Sequence, residues 1–88
     1  MKISETQQLT DLNKILNRLR AMVDSTDSQF QTRSFDAFGI EALSVDYDQL
    51  TKIWTIHEHR QSKNFQFDNV DLVAIEIYDI LHDFNLIF

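Results

Sequence analysis

The spacing of apolar residues along this chain changes twice, and these changes constrain the fold more than any other feature. Near the N-terminus, apolar side chains recur every three or four residues and share an arc of roughly 140° on a helix. They are Leu9, Leu12, Ile15, Leu16, Leu19, Met22 and Val23. The same spacing returns near the C-terminus, at Val70, Val73, Ala74, Ile77, Tyr78, Ile80, Leu81 and Phe84. The pattern predicts one helix over residues 9–23 and a second that starts after residue 68.

Between these helical segments, apolar and polar residues alternate, as they do in half-buried strands. The apolar positions that share a face are Leu43, Val45, Tyr47, Trp54 and Ile56. Polar turns interrupt the alternation at residues 36–39 and 48–51, and the only glycine, Gly39, lies in the first turn. We therefore predict strands over residues 40–47 and 52–59. Residues 30–35 alternate only weakly, but they are rich in β-forming residue types and are predicted as a further strand. Whether residues 65–67 add a short fourth strand stays open.

The predicted order is α-β-β-β-(β)-α in a single domain of residues 1–88. Short turns join consecutive strands, so the sheet is expected to be an antiparallel meander. Two amphipathic helices that flank it pack most simply on one face, which makes an α+β two-layer sandwich. The expected core is Leu12, Leu16, Leu19, Val23, Leu43, Val45, Trp54, Ile56, Val73, Ile77, Leu81 and Phe84. The opposite choice of sheet face would exchange core and surface along each strand.

The start of the second helix has signals of its own. Asp68 is a preferred N-cap type, and Asp71 then occupies the third helical position, where an acid favours the positive end of the helix dipole. In this register Phe67 and Leu72 occupy the positions of a hydrophobic staple. Ile75 falls among the polar residues of the same helix and has no local explanation.

Residues 67–78 read Phe-Asp-Asn-Val-Asp-Leu-Val-Ala-Ile-Glu-Ile-Tyr, and Ser-Val-Asp-Tyr at residues 44–47 ends a predicted strand. Together with the preceding amphipathic helix and strand meander, this run resembles the YkuJ-like family of small uncharacterised bacterial proteins. The chain departs from the family pattern by lacking a proline before Phe67, by a shorter loop before Phe65 and by an apolar tail at residues 86–88. The resemblance implies a compact α+β fold and no particular activity.

Composition and charge argue against several classes of function. Lys and Arg number 8 against 14 Asp and Glu, and the resulting net charge of −6 disfavours nucleic acid as a partner. Cysteine is absent, so disulfides and thiolate metal sites are excluded. No apolar run approaches the ~20 residues of a membrane span. The N-terminus lacks a secretory signal pattern. We therefore expect a cytoplasmic protein.

His57 and His59 are the strongest candidates for metal ligands in the sequence. Alternate residues of a strand share a face, so both imidazoles could reach one zinc or nickel ion, with Asp46 or Asp48 as a third ligand. Two histidines at this spacing are common, and the solvated outer face of a sheet explains them more simply. No metal and no cofactor is therefore predicted.

Catalytic groups are not indicated either. His82 with Asp79 and Asp83 could form an acid–base pair, but a polar helix face supplies neither a pocket nor a shifted pKa. Ser44 lies in a predicted strand without the Gly-x-Ser-x-Gly setting of an activated serine. The chain is therefore predicted not to be an enzyme.

Apolar residues without a place in the predicted core indicate a contact surface. The predicted interface lies mainly on the outer face of the meander and consists of Ile40, Ala42, Ser44, Ile53, Thr55, His57 and Ile75. The favoured function is a protein–protein interaction module that forms a homodimer. One alternative is a metal-responsive or small-ligand-binding regulator at His57 and His59. A second alternative is an acidic regulator that occupies a nucleic-acid-binding protein.

Overall fold

The chain folds as a helix, four strands and a second helix. The computed structural model describes residues 5–37 and 39–87. The elements are α1 (Glu5–Asp24), β1 (Phe30–Ala37), β2 (Ile40–Asp48), β3 (Trp54–Glu58), β4 (Lys63–Phe67) and α2 (Val70–Ile87). The strands pair antiparallel in the order β1-β2-β3-β4. The predicted α+β meander is therefore confirmed, and the open question about residues 65–67 resolves to a fourth strand.

Both helices cover the sheet face that carries the large apolar residues of β2 and β3. The alternation along β2 is regular from Leu43 onward, with every second residue buried. Across the strands, the Tyr47 and Trp54 rings pack with centroids 4.3 Å apart. Buried residues of both helices, including Leu19 and Ile77, belong to the same core cluster. The predicted choice of sheet face is correct, and the opposite face carries mostly polar residues.

A bulge interrupts the alternation at Ala42. Phe35 pairs with Leu43 and Asp36 pairs with Glu41, so Ala42 is an extra residue without a partner on β1. Its side chain is only 1% exposed, and its carbonyl oxygen accepts a hydrogen bond from the His59 N–H at 3.1 Å. The prediction that Ala42 belongs to the exposed outer face is therefore wrong. A strict period of two cannot anticipate the inserted residue.

The core differs from the predicted one mainly along α1. Leu19 is buried as predicted, but Ile15 and Met22 fill the core, while Leu12 and Leu16 are only half-buried. The apolar arc of α1 is wider than the part of the helix that packs into the core. Periodicity alone therefore does not predict the contact line of α1, that is, which apolar residues of the arc are fully buried. The other buried apolar residues that the prediction left out are Phe35, Ala42, Tyr47, Ala74 and Ile80. The side chain of Phe84 lies outside the described residues.

The third strand is shorter than the predicted span of residues 52–59. Lys52 has a φ of 60°, a left-handed conformation that a strand cannot contain. Its N–H donates to the Asp48 carbonyl oxygen at 2.7 Å, which closes the turn between β2 and β3. Gly39, with a φ of 74°, sits in the turn between β1 and β2 as its type predicts.

The side chain of Gln49 closes the C-terminal end of α1. Its Nε2 amide donates to the carbonyl oxygens of Met22 at 3.1 Å, Val23 at 3.0 Å and Ser25 at 2.8 Å. The last carbonyls of a helix have no partner within the helix, so this amide satisfies groups that α1 itself leaves open. Its backbone N–H also donates to the Gln29 carbonyl at 2.7 Å. Gln49 thereby ties the β2–β3 turn to the end of α1.

We expect Gln49→Ala to lower the free energy of unfolding by about 1–3 kcal/mol, because partly buried carbonyls lose their donor. Urea denaturation measures this change. Gln66→Ala on the exposed side of β4 is the control, with an expected change within about 0.5 kcal/mol. Equal effects of the two substitutions would contradict the capping role of Gln49.

The second helix begins one residue later than the sequence predicts. The Asn69 side-chain oxygen accepts a hydrogen bond from the Asp71 N–H at 2.8 Å, and the Asn69 carbonyl accepts from the Val73 N–H at 3.2 Å. Both bonds are those of an N-cap, so Asn69 and not Asp68 caps α2. The shifted register removes the predicted staple, and Leu72 is exposed.

We expect Asn69→Ala to cost about 1 kcal/mol of stability through loss of the N-cap. Asp68→Ala, one residue earlier, is expected to cost less than about 0.5 kcal/mol. Thermal and urea denaturation of both variants provide the measurement. A larger loss for Asp68→Ala would place the cap at Asp68 after all.

Candidate functional site

A row of hydrogen-bonded side chains crosses the outer face of the sheet. We call it the outer row; it consists of Thr32, Asp46, His57 and Asn64, one residue from each strand. The Thr32 hydroxyl donates to Asp46 Oδ1 at 2.8 Å. Asp46 Oδ2 lies 2.8 Å from His57 Nε2, and His57 Nδ1 lies 2.8 Å from Asn64 Oδ1. The outer face therefore carries a continuous polar connection from one sheet edge to the other.

Strand register produces this row. Thr32 is the direct partner of Asp46, and His57 is the direct partner of Asn64. Asp46 itself pairs with Thr55, so its carboxylate reaches His57 as a diagonal neighbour. A shift of one residue in any pairing would turn part of the row toward the core.

The outer row favours the protonated form of His57. The hydrogen bond to Asp46 is the main cause that raises the pKa of His57, and the hydrogen bond to Asn64 adds to it, while partial burial acts in the opposite direction. Oxygen acceptors lie at both ring nitrogens, and only the imidazolium donates from both. When the ring is protonated, it forms an ion pair with the Asp46 carboxylate on a half-exposed surface.

His59 belongs to a different contact. Its Nε2 lies 2.9 Å from Glu41 Oε2, and Glu41 also accepts a hydrogen bond from the Ser34 hydroxyl. Each histidine thus engages its own carboxylate. Within residues 5–37 and 39–87, no group of three or more His, Asp or Glu side chains is placed to hold a metal ion. The described residues therefore do not assemble the three-ligand arrangement that was considered as an alternative for His57 and His59.

A shallow depression of about 390 Å³ lies beside the outer row. Its lining residues are Phe30, Asp46, Asp48, Thr51, Ile53, Thr55 and Gln66. Phe30 starts β1 with its side chain 61% exposed, and Ile53 is half-buried. The depression therefore combines an exposed aromatic ring with polar groups.

The second carboxylate of the depression stabilises the adjacent turn. Asp48 Oδ1 accepts hydrogen bonds from the Leu50 N–H at 2.9 Å, the Thr51 N–H at 3.4 Å and the Gln29 amide at 3.3 Å. Desolvation alone would raise the pKa of Asp48, but these hydrogen bonds outweigh it and lower that pKa. Asp48 is therefore ionised and held by the β2–β3 turn.

The predicted interface residues do not form one surface. Ser44, Thr55 and His57 share the half-exposed outer face of the sheet, with Ile53 beside them. Ile40 is 53% exposed at the start of β2. Ala42 is buried, as described above. Ile75 is 50% exposed on α2, which packs against the other sheet face, so the structure does not bring it to the outer face.

Two residues of the outer row, Thr32 and Asn64, were missed by sequence reasoning. Both are small polar residues in segments with weak alternation, and only the pairing register reveals their common row. Phe30 was also missed as a surface residue. His82, considered with Asp79 and Asp83 as an acid–base pair, instead stacks against the Tyr78 ring with centroids 6.0 Å apart.

These features define a small two-layer α+β protein with one sheet face covered by helices and the other crossed by a polar row. Residues 15–81 match the family described as "Protein of unknown function (DUF1797)", and the chain belongs to this family. It is 26% identical over 78 residues to the uncharacterized protein YkuJ of Bacillus subtilis (strain 168), covering 83% of this chain and 99% of that protein. The predicted YkuJ-like resemblance is confirmed.

The fold is also that of YkuJ. The X-ray structure of the Bacillus subtilis protein superposes with a TM-score of 0.75 at 25% identity, over 81% of this chain and 96% of that chain. Neither helix, within the residues described, is long and apolar enough to cross a membrane. The comparisons therefore establish fold and family, and the surfaces described above carry the argument about function.

We expect Asp46→Asn to lower the pKa of His57 toward its ordinary value of 6.5, because the main hydrogen bond to the imidazolium loses its charge. NMR titration of the His57 ring measures the shift. Asp48→Asn is the matched control, because Asp48 lies on the same strand but holds the turn. An unchanged His57 midpoint in Asp46→Asn would contradict the ion pair.

The same shift makes stability depend on pH. The pKa of His57 is higher in the folded than in the unfolded chain, so its contribution is complete below pH 6.5 and is lost as pH rises through the folded pKa. Urea denaturation across this window should show the loss in the wild type and not in His57→Gln. Identical pH profiles of stability in the wild type and in His57→Gln would contradict this expectation.

Proposed function

We propose that this protein is a non-enzymatic protein-binding module that forms a homodimer through the outer face of its sheet. The observation that carries the proposal is the difference between the two sheet faces. Both helices pack on one face, and no element within the described residues covers the other. Phe30 and Ile53 border the depression on this uncovered face.

The state of the outer row supports a binding role over a catalytic one. A general base needs a nitrogen or oxygen that can take a proton from a substrate. Both nitrogens of His57 already contact acceptors, and the Thr32 hydroxyl donates to Asp46 rather than to the imidazole. The row therefore serves to brace the sheet.

The same pairing supports burial of this face in a complex. Burying an unpaired polar group costs free energy, whereas a group that keeps its partner can be buried at lower cost. Asp46, His57, Thr32 and Asn64 satisfy one another before any partner arrives. Covering the face would bury Phe30 and Ile53 while the polar groups of the outer row keep their hydrogen bonds to one another.

A second copy of the chain is the occupant that this surface favours. A two-fold contact requires only that a patch be complementary to itself, and two-fold dimers are the commonest protein assemblies. The outer face combines an exposed aromatic ring with an ion pair of zero net charge at His57 and Asp46. When two such faces meet, the aromatic ring of one can contact apolar groups of the other, and the His57–Asp46 pair adds no net charge to the contact.

Light scattering over a concentration series tests the proposal. We expect a mass of twice the chain's 10.4 kDa at high concentration. The double variant Phe30→Ser/Ile53→Thr should raise the dimer dissociation constant at least about tenfold, because it removes the two apolar side chains that line the depression.

Leu50→Ser is the matched control, since Leu50 is an exposed apolar residue that does not line the depression. Its dissociation constant should stay within about twofold of the wild type. A monomer at every concentration refutes the homodimer. A dimer that the double variant leaves intact refutes the outer face as its interface.

A further inference from the structure

The outward side of α2 carries two large apolar residues that the fold does not use. Leu72 is 49% exposed and Ile75 is 50% exposed. They are three residues apart, so they lie about 60° apart around the helix and one turn apart along it. Val73 and Ile77, on the opposite side of α2, are fully buried against the sheet and α1. Leu72 and Ile75 therefore form an unpartnered apolar strip, which we call the α2 strip.

Acidic residues surround the α2 strip. Asp71 and Glu76 flank it on its two sides, and Asp79 continues it by one turn toward the C-terminal end. Residues 68–83 contain five acids and neither Lys nor Arg. The two ion pairs formed within residues 5–37 and 39–87 lie on the sheet. The acids around the strip thus have no counter-charge from their own helix.

The acids near this surface contribute to a raised pKa of Glu76. Burial is the main cause that raises the pKa of Glu76, and repulsion from Asp79, Glu58 and Asp83 raises it further. A cationic partner would relieve this repulsion. An apolar centre with an acidic border is complementary to a segment that has apolar residues on one side and Lys or Arg beside them.

We propose that the α2 strip is a docking site for a basic amphipathic helical segment of another protein. The partner's apolar side chains would cover Leu72 and Ile75, while its Lys or Arg side chains would pair with Asp71, Asp79 and Glu76. This surface lies on the helix layer, on the opposite side of the molecule from the outer face. The proposal therefore does not depend on the homodimer.

Helix α1 of a second copy is a poor occupant of the α2 strip. The basic residues of α1 are Lys14, Arg18 and Arg20. Arg18 is already engaged, with its guanidinium 4.1 Å from the centre of the Phe35 ring and its Nη2 donating to the Ser34 carbonyl at 2.8 Å. Lys14 and Arg20 lie about 120° apart around α1, so the two cannot face one strip together.

The test uses a fluorescein-labelled synthetic helical peptide with a Leu stripe at spacings of three and four, bordered by Lys. Fluorescence anisotropy measures its binding to the full chain. We expect saturable binding that weakens as salt is raised, because charge pairing contributes to it. The same peptide with Ala in place of Leu should bind at least about tenfold more weakly.

Protein variants separate the apolar and charged parts of the site. Leu72→Ser/Ile75→Ser should weaken binding at least about tenfold, and Asp71→Asn/Asp79→Asn should weaken it and reduce its salt dependence. Leu50→Ser is the control for general loss of exposed apolar area, and its affinity should remain unchanged. Circular dichroism and thermal melting verify that each exposed-site variant is folded.

Four results would overturn the proposal. Three concern the peptide: absence of saturable binding, equal binding of the Leu and Ala peptides, and wild-type affinity in Leu72→Ser/Ile75→Ser. Loss of self-association in that same double variant would also overturn it, since the strip would then be occupied by a second copy. Wild-type peptide affinity in Phe30→Ser/Ile53→Thr supports the proposal, because the outer face is then not involved.

Discussion

The regular alternation of side chains along β2 and β3 is the constraint on which the rest of the structure depends. Leu43 and Val45 with Trp54 and Ile56 face the helices, so the residues between them must face away. This assignment builds the core and, by the same geometry, aligns Asp46 and His57 on the other side. Core and outer row are two consequences of one strand register.

Polar side chains on the outer face of the sheet are hydrogen-bonded to one another and are not merely exposed to solvent. Each member of the outer row has its partner on a neighbouring strand, and the ion pair at its centre is held by neutral groups at both ends. Such a surface can be wet in the isolated chain and covered in a complex. The α2 strip is different, since its two apolar residues are about half exposed and repulsion from nearby acids adds to the raised pKa of Glu76.

The sequence predicts more of the fold than of the candidate site. Periodicity identified both helices and the covered face of the sheet, because helix and strand periods depend on local geometry. Sequence reasoning considered His57 and Asp46 as neighbours across a hairpin only as possible metal ligands, an interpretation it set aside, and it did not anticipate their hydrogen bond. It grouped Ile75 of the second helix with residues of the sheet in one interface, because a sequence pattern shows that a residue lacks a core position and not which surface receives it.

The amino-acid sequence by itself determined the order of elements, the sheet type and the face of β2 from Leu43 onward and of β3 that is buried, since these follow from the spacing of apolar residues. Tertiary structure decided the bulge at Ala42, the cap at Asn69, the contact line of α1 and the assembly of the outer row. These features depend on register and on packing between segments distant in the chain. Local spacing carries no information about the distances that such packing creates.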